Sequence, residues 1–577
     1  MLLPLLLSAA VVLGLGSYFE TSDDGTLAWL FAGVLAPQPV VAVPLYLHGY
    51  GHLLAAAYAA APAGPWLGLL LAGLLAAASG LWFAVLECLL RPWLRPGWLL
   101  LALGLFFGLA WLEHWLWFSH ARVGLLLAAG GVLFAAQRAG RRGPLLLGLA
   151  ALLAAWLVRP SLAGLACAAV LPAVLLLAGG WRQARPLLLS VGLLLALAFG
   201  LVQLCQTAAE ARVQARDARL ARILDYEQLR PYPRTPTDSL GTTAISSWLL
   251  GDSAVVDPAL RGSVYHFDAA DFAGRVVPAK LRLRAGLLLR DYFPVLLALL
   301  VLAGAVLRRR AAPHGFWLVQ LGFVAGLAGL AGILKLPPRL ALPLLDCWLL
   351  TNLIFWLQTR LPSRSVATSG EAAAAFGVGS NRPVAAGVEP PPQNAPATLR
   401  WSRFPQLPRL TGIILLLAVA SLYAAKTWHR HWVLRQEQRR HEKALAEISR
   451  RPGVRVLAGT NDWLKSLSPF RAYALGPGPV LQLTGWSSHD VSQARLRRAL
   501  AGTPDQTEGL RRLALRTAQA PAKVTWVLTP ETAQWLNRRL RLVAADVRLL
   551  PDTAAVAPAA GLVFPGRPYR VEHRPKP

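Results

Sequence analysis

Residues 2–25 read LLPLLLSAAVVLGLGSYFETSDDG, an apolar run that gives way at Tyr18 and Phe19 to three acids, Glu20, Asp23 and Asp24. A carboxylate entering lipid is costly, so these acids must face water or an enclosed cavity at a membrane surface. Two neighbouring acids can also simply end a helix and mark the water boundary, and the rest of the chain has to decide between these meanings. No Lys or Arg precedes the run and no small-x-small cleavage site precedes the acids, so residues 2–18 are expected as a first transmembrane helix and not as a signal peptide.

Composition supports a membrane setting. The chain has 577 residues, 55% hydrophobic and only 15% charged, with a mean hydropathy of +0.46. That is too apolar for a soluble globular protein of this size. The net charge of +29 comes almost wholly from Arg scattered over short loops and a terminal region. No aromatic-interleaved basic stripe is present, which argues against a nucleic-acid partner and for topology and attraction to membrane lipids. Cys88, Cys167, Cys205 and Cys347 lie in or beside apolar runs without metal-site spacing.

Apolar runs of roughly 16–25 residues suffice to cross a hydrocarbon core about 30 Å thick. Such runs fall near 2–18, 66–90, 97–117, 122–137, 143–158, 163–180, 186–205, 291–307, 315–334, 340–358 and 409–426. The expected architecture is therefore a mainly helical, polytopic bundle of about eleven spans. Arg91/Arg95, Arg138/Arg141/Arg142, Arg182/Arg185, Arg308/Arg309/Arg310 and Arg360/Arg364 with Arg400/Arg403 occupy alternate loops. The positive-inside rule then places the N-terminus in the cytoplasm and the C-terminus outside the cell membrane. This parity requires 26–61, broken by Pro37, Pro39 and Pro44, to lie at or re-enter the outer surface.

The chain divides accordingly. Residues 1–205 form an N-terminal membrane module with a first outer loop at 19–65. Residues 206–290 form an extracytoplasmic cap, 291–358 further membrane helices, and 359–408 a cytoplasmic linker whose 365–399 core is expected to be disordered. A last span at 409–426 leads to an extracytoplasmic α/β domain at 427–577. There, strands are expected at Val454–Leu457, Val480–Leu483, Val524–Leu528 and Val563–Phe564, and helices at 491–502, 506–518 and 530–540. Asn461-Asp462-Trp463 and Gly485-Trp486 follow two of these strands, where open α/β sheets tend to bind ligands.

With this topology the outer side collects Asp23, Asp24, His48, His52, Glu113, His114, His120, Arg122, Arg159, Lys335 and Arg339. Arg159, Lys335, Arg339, His120, Arg122, His48 and His52 are the candidate substrate-binding residues. Arg would hold a phosphate by bidentate hydrogen bonds and Lys as a point charge. A carboxylate could take the proton of an acceptor hydroxyl. No hydrolase triad, phosphate-cradling Gly loop or zinc-helix spacing appears.

Asp23-Asp24 after the first span, the Pro-rich interfacial segment, His48-Gly49-Tyr50-Gly51-His52, Tyr58, Pro62 and Pro65-Trp66 together resemble the start of GT-C superfamily glycosyltransferases. These integral-membrane enzymes use polyprenyl-phosphate-linked sugars, and include protein O-mannosyltransferases and the lipid A aminoarabinose transferase. Weaker similarity continues at Phe118-Ser119-His120-Ala121-Arg122, Val158-Arg159, Arg222-Ile223-Leu224-Asp225-Tyr226 and Gly485-Trp486. The resemblance implies a catalytic carboxylate at Asp24 or Asp23, an inverting transfer, and a lipid, glycan or protein acceptor. Some members bind a divalent cation in this loop, so it also implies Asp23 and Asp24 as metal ligands. The Lys-Pro-Pro that often follows the first acid in aminoarabinose transferases is absent from this loop. Lys335-Leu336-Pro337-Pro338 occurs elsewhere. Donor sugar and acceptor stay open. The alternatives are a surface-polysaccharide polymerase or ligase, and a non-catalytic membrane scaffold or transporter.

Overall fold

The computed structural model describes residues 2–43, 45–308, 314–358, 409–451, 453–459, 463–476, 478–519, 524–543, 547–552 and 566–573. The expected linker, Arg309/Arg310, Asn461-Asp462 and the strand at Val563–Phe564 lie outside them. The described residues are mainly helical with a small C-terminal sheet.

Seven of the described helices are long and apolar enough to cross a membrane: Trp66–Leu90, Pro96–Leu116, His120–Gln137, Pro160–Leu177, Trp181–Cys205, His314–Gly332 and Pro338–Gln358. The bent pair Ala269–Asp291 and Phe293–Leu307 makes an eighth if taken as one span. About eleven were expected, and the shortfall has three sources. Leu2–Gly14 has 13 residues, about 20 Å at 1.5 Å per residue, which is less than the hydrocarbon thickness. Arg142–Val158 is an apolar helix of 17 residues, about 26 Å, which is a little short of the hydrocarbon thickness and spans only at the lower limit. The apolar stretch at 409–426 is the first part of one 42-residue helix, Arg409–Arg450, that continues unbroken into charged sequence.

His120–Gln137 is the central helix, buried on nearly every face. Close approach makes this possible. A Cβ on Gly131 would stand 2.7 Å from Gly148 O, and one on Gly148 would stand 2.5 Å from Gly131 O. Small residues here let two backbones meet, as is common between membrane helices. The segment expected at the surface contains Tyr50–Ala60, a helix of 11 residues and too short to span.

Residues 206–268 fold into three helices, Ala208–Leu224, Pro236–Ser246 and Pro258–Ser263, with an antiparallel pair, Leu229–Pro231 against Tyr265–Phe267. They share an apolar core with the C-terminal sheet, in which Leu220, Leu240, Ile245 and Leu249 join Val456, Leu481, Trp526 and Trp535. In that sheet Val480–Gln482, Val454–Leu457 and Val524–Leu528 run parallel. Arg567–His573 then pairs antiparallel with Val524–Leu528, and Val547–Pro551 antiparallel with Arg567–His573. The helices beside it are Val491–Ala501, Gln506–Gln519 and Pro530–Leu542. The two strands of the antiparallel edge went unassigned in the sequence: Val547–Pro551 adjoins Arg-rich stretches, and Arg567–His573 alternates charges and Pro with few apolar residues.

The C-terminal region also meets the membrane bundle. Trp463, Leu464, Leu467 and Leu475 are buried in the same core as Leu27, Leu67 and Leu71. Trp29 Nε1 donates to Tyr473 O (2.8 Å).

Candidate active site

Two short strands set the position of the acids. Tyr18–Phe19 pairs in parallel with Trp117–Phe118, joining the chain after the first helix to the chain before the central one. Glu20 N–H donates to Phe118 O (2.9 Å), Phe19 N–H to Leu467 O (2.8 Å), and Ser466 N–H to Phe19 O (3.1 Å). The first outer loop is thus held on both sides before its helix, Ser22–Phe31, begins.

Asp24 lies in the first turn of that helix and is fully buried. Its Oδ1 accepts from the backbone N–H of His120 (2.9 Å) and from His120 Nδ1 (2.8 Å). His120 opens the central helix, so the carboxylate sits at a helix N-terminus, where free N–H groups and the helix dipole favour negative charge. His120 Nε2 lies 3.0 Å from Arg159 Nη1. Guanidinium can only donate, so Nε2 accepts and Nδ1 carries the proton that goes to Asp24. Asp24 Oδ2 has no hydrogen-bond partner among the described residues.

Tyr46 closes over this file. Leu47 holds a left-handed backbone (φ 53°) that a branched residue rarely adopts, pinned by Leu47 N–H to Val158 O (3.0 Å) and His48 N–H to Leu157 O (2.8 Å). The turn puts the Tyr46 ring 4.9 Å from the His120 ring, with the Arg159 guanidinium carbon 4.6 Å from its centroid. Trp486, from the C-terminal region, meets Tyr46 edge-on at 6.3 Å.

Asp23, one residue earlier, points elsewhere and is 28% exposed. Its Oδ2 accepts from Arg339 Nη1 (3.2 Å). Burial alone would push the Asp23 carboxyl up. Arg339, with Arg159 and Lys335 beyond it, outweighs that and holds it below the usual carboxylate range. The two acids are therefore unequal, as neighbouring side chains on one turn must be.

A second buried network adjoins the first. Arg122 Nε and Nη2 donate to Glu20 Oε2 (3.2 and 2.8 Å), and Arg122 Nη1 donates to His114 Nδ1 (3.0 Å). His114 Nε2 therefore carries its proton and donates to Asp346 Oδ2 (2.7 Å). Beside it Glu113 accepts from Tyr423 (3.1 Å) and Arg430 (2.8 Å), and Arg430 also donates to Asp291 (3.1 Å).

Of the residues expected at the site, Asp24, His120, Arg159, Asp23 and Arg339 are brought together. Arg122 belongs to the adjoining network. Lys335 is engaged with Asp225 (2.5 Å). His48 and His52 are not joined to the acids by any hydrogen bond or ring contact among the described residues. The His48 ring rests 5.9 Å from Trp156, burial pushes its pKa down, and His52 is exposed. Glu20, the first of the three acids after the apolar run, pairs with Arg122 in the adjoining network, and Tyr46 and Asp346 are further members that residue type and position did not single out.

Asp23 faces a guanidinium, Asp24 Oδ1 is taken twice by His120, and no group of three or more His, Cys, Asp or Glu side chains gathers among the described residues. A shallow slot of about 10 Å³ lies between Tyr292 and Pro338, and neither Asp23 nor Asp24 lines it. The chain matches no known protein family, no curated protein and no solved structure.

Proposed function

We propose that the chain is a GT-C-type membrane glycosyltransferase that moves a sugar from a polyprenyl-phosphate donor to a hydroxyl acceptor, with Asp24 as the base. The observation that carries this reading is the Asp24–His120–Arg159 file at one end of an apolar helical bundle, with Asp24 Oδ2 left without a partner among the described residues. In the reaction the acceptor O–H gives its proton to Oδ2 while its oxygen bonds to the anomeric carbon. The bond from that carbon to the phosphate oxygen breaks, and its electron pair leaves with polyprenyl phosphate. This single displacement inverts the anomeric centre. Arg159 and Arg339 offset the charge on the leaving phosphate, and His120 fixes the orientation of Asp24.

The alternating Arg loops support placing this site, the 206–290 cap and the C-terminal sheet on the extracytoplasmic face of the cell membrane. Membrane-impermeant thiol reagents on Ser239→Cys and Ser468→Cys test that: both label from the same outer side, and labelling from opposite sides overturns it. For the chemistry, Asp24→Asn, Asp23→Asn and the double variant are compared for sugar transfer. Loss of turnover in Asp24→Asn supports the base, and near-native turnover in all three removes the acids from catalysis.

One observation favours a transporter instead. Asp346 is fully buried in Pro338–Gln358, seven residues and so about 10 Å beyond Arg339, and buried acids inside spans commonly mark ion pathways. A transporter would lose function with Asp346→Asn while tolerating Asp24→Asn.

A further inference from the structure

The C-terminal region grips the first outer loop at points spread along its length. Trp29 Nε1 donates to Tyr473 O (2.8 Å), and the fully buried Gln493 donates from Nε2 to Leu35 O (2.7 Å). Further along the same loop stands Tyr46, whose ring closes over His120 and Arg159.

Little in the loop itself fixes that ring. Tyr46 N–H reaches Val43 O only at 3.4 Å, and the Tyr46 hydroxyl makes no hydrogen bond among the described residues. Among those residues three aromatic or cationic side chains meet the ring: His120, Arg159 and Trp486. The first two belong to the site, and Trp486 comes from the C-terminal region. Its segment is tied down on the side of the cap. Gly485 N–H donates to Trp248 O (3.0 Å), Arg216 Nη1 donates to His489 O (3.3 Å), and His489 Nε2 pairs with Asp217 Oδ1 (2.8 Å). Toward the sheet, Ser487 Oγ donates to Gln482 Oε1 (2.7 Å). Trp486 is thus a fixed side chain resting on a loosely held one.

We propose that Trp486 is a positioning residue: it holds the Tyr46 ring over His120 and Arg159, so that the C-terminal region completes the site around Asp24. An edge-on aromatic pair contributes beyond the area it buries. Without Trp486 the Tyr46 ring leaves His120, the cover over Asp24 loosens, and the Arg159 guanidinium loses its seat. The proposal concerns the cover over Asp24, whatever reaction occurs there, and only its kinetic arm rests on the transferase reading.

The test is carboxyl footprinting of the full-length protein in detergent with a water-soluble carbodiimide and glycine ethyl ester, read by peptide mass spectrometry. Asp24, fully buried, should stay nearly unlabelled in the wild type, with the exposed Glu531 as reference. Trp486→Ala should raise Asp24 labelling roughly two- to tenfold, the fold-change that corresponds to one edge-on aromatic contact. Trp486→Phe should restore the wild-type level, and the fully buried Asp252 should stay unlabelled throughout. Tyr46→Ala should uncover Asp24 on its own, and adding Trp486→Ala should then raise the labelling no further, because both act through one contact. In sugar transfer, Trp486→Ala should raise KM for the donor on the order of tenfold, whereas a merely less stable protein would lower kcat alone. Wild-type labelling of Asp24 in Trp486→Ala, no recovery in Trp486→Phe, or additive effects in the double variant overturns the proposal. The expected labelling pattern in a protein that transfers no sugar removes the transferase reading and leaves the role of Trp486 standing.

Discussion

Asp24 Oδ1 and His120 Nδ1 stand 2.8 Å apart although 96 residues separate them in the chain. That contact ties the first outer loop to the start of the central helix. It also fixes His120 in the tautomer that receives a hydrogen bond from Arg159. Arg159→Ala leaves His120 Nε2 unpaired and Tyr46 without its cation. Donor affinity should fall by about 1.5–3 kcal/mol, the range of a charge-assisted hydrogen bond. Arg159→Lys should recover little, because a point charge cannot both lie flat on Tyr46 and reach His120. Donor titration of the purified variants measures this, and unchanged affinity in Arg159→Ala would reduce Arg159 to a membrane-interface anchor.

Breaking the Glu20–Arg122 pair should cost stability more than function. Both side chains are nearly enclosed, at 10% and 1% exposure. Removing one partner leaves an uncompensated buried charge, typically worth about 3–5 kcal/mol. Glu20→Gln and Arg122→Gln should each lower the thermal midpoint of the detergent-solubilised protein by several degrees. Unchanged midpoints would mean that water reaches the pair.

The loop was legible where local chemistry set it, and illegible where partners came from far away. Apolar length located most of the helices, and β-branched runs located the three parallel strands. Helical periodicity runs on through 427–450 after hydrophobicity stops, so a charged stalk helix is expected there, and it forms one helix with the apolar run, Arg409–Arg450. Residue type pointed to Asp24, Arg159 and His120. It could not distinguish them from His48 and His52, which have the same polarity and the same apparent side, because only the fold turns their side chains. Tyr46 was invisible as a site residue, since its place depends on the left-handed turn at Leu47. Asp346 was hidden inside an apolar run, where one acid looks like an isolated exception until His114 is seen beside it.

Asp23 gives a pH signature. Arg339 holds its carboxyl below the usual range, so the folded state binds the proton less readily than the unfolded chain does. The stabilisation is fully present above the unfolded carboxylate value of about 3.9 and is lost as pH falls from there through the lower folded value. With Arg339→Gln the nearest cation is gone, so this acid-side loss should shrink. Thermal midpoints measured across pH 3–6 should fall more steeply on the acid side for the wild type than for the variant. Parallel curves would show that the Arg339–Asp23 contact does not form.

The C-terminal segment 463–475 should undock when its seat is filled. A Cβ on Gly68 would overlap Pro469 O, whereas one on Gly73, five residues further along the same helix, meets nothing within 4 Å. Gly68→Ala should destabilise by about 1–3 kcal/mol through overpacking and open 463–475 to protease. Gly73→Ala should do neither. Equal protease resistance in the two variants would contradict this contact.

The central claim is that Asp24 accepts the proton of the acceptor in sugar transfer from a polyprenyl-phosphate donor. The most direct measurement is release of polyprenyl phosphate by the purified full-length chain in lipid vesicles, supplied with polyprenyl-phosphate mannose, glucose or aminoarabinose and membrane acceptors. The wild type should turn over at least one of these donors, and Asp24→Asn should be slower by roughly 10²–10⁴-fold, the usual range for removal of a general base, with folding and donor binding retained. Equal release by the wild type and Asp24→Asn, or no release from any of the donors, would contradict the account.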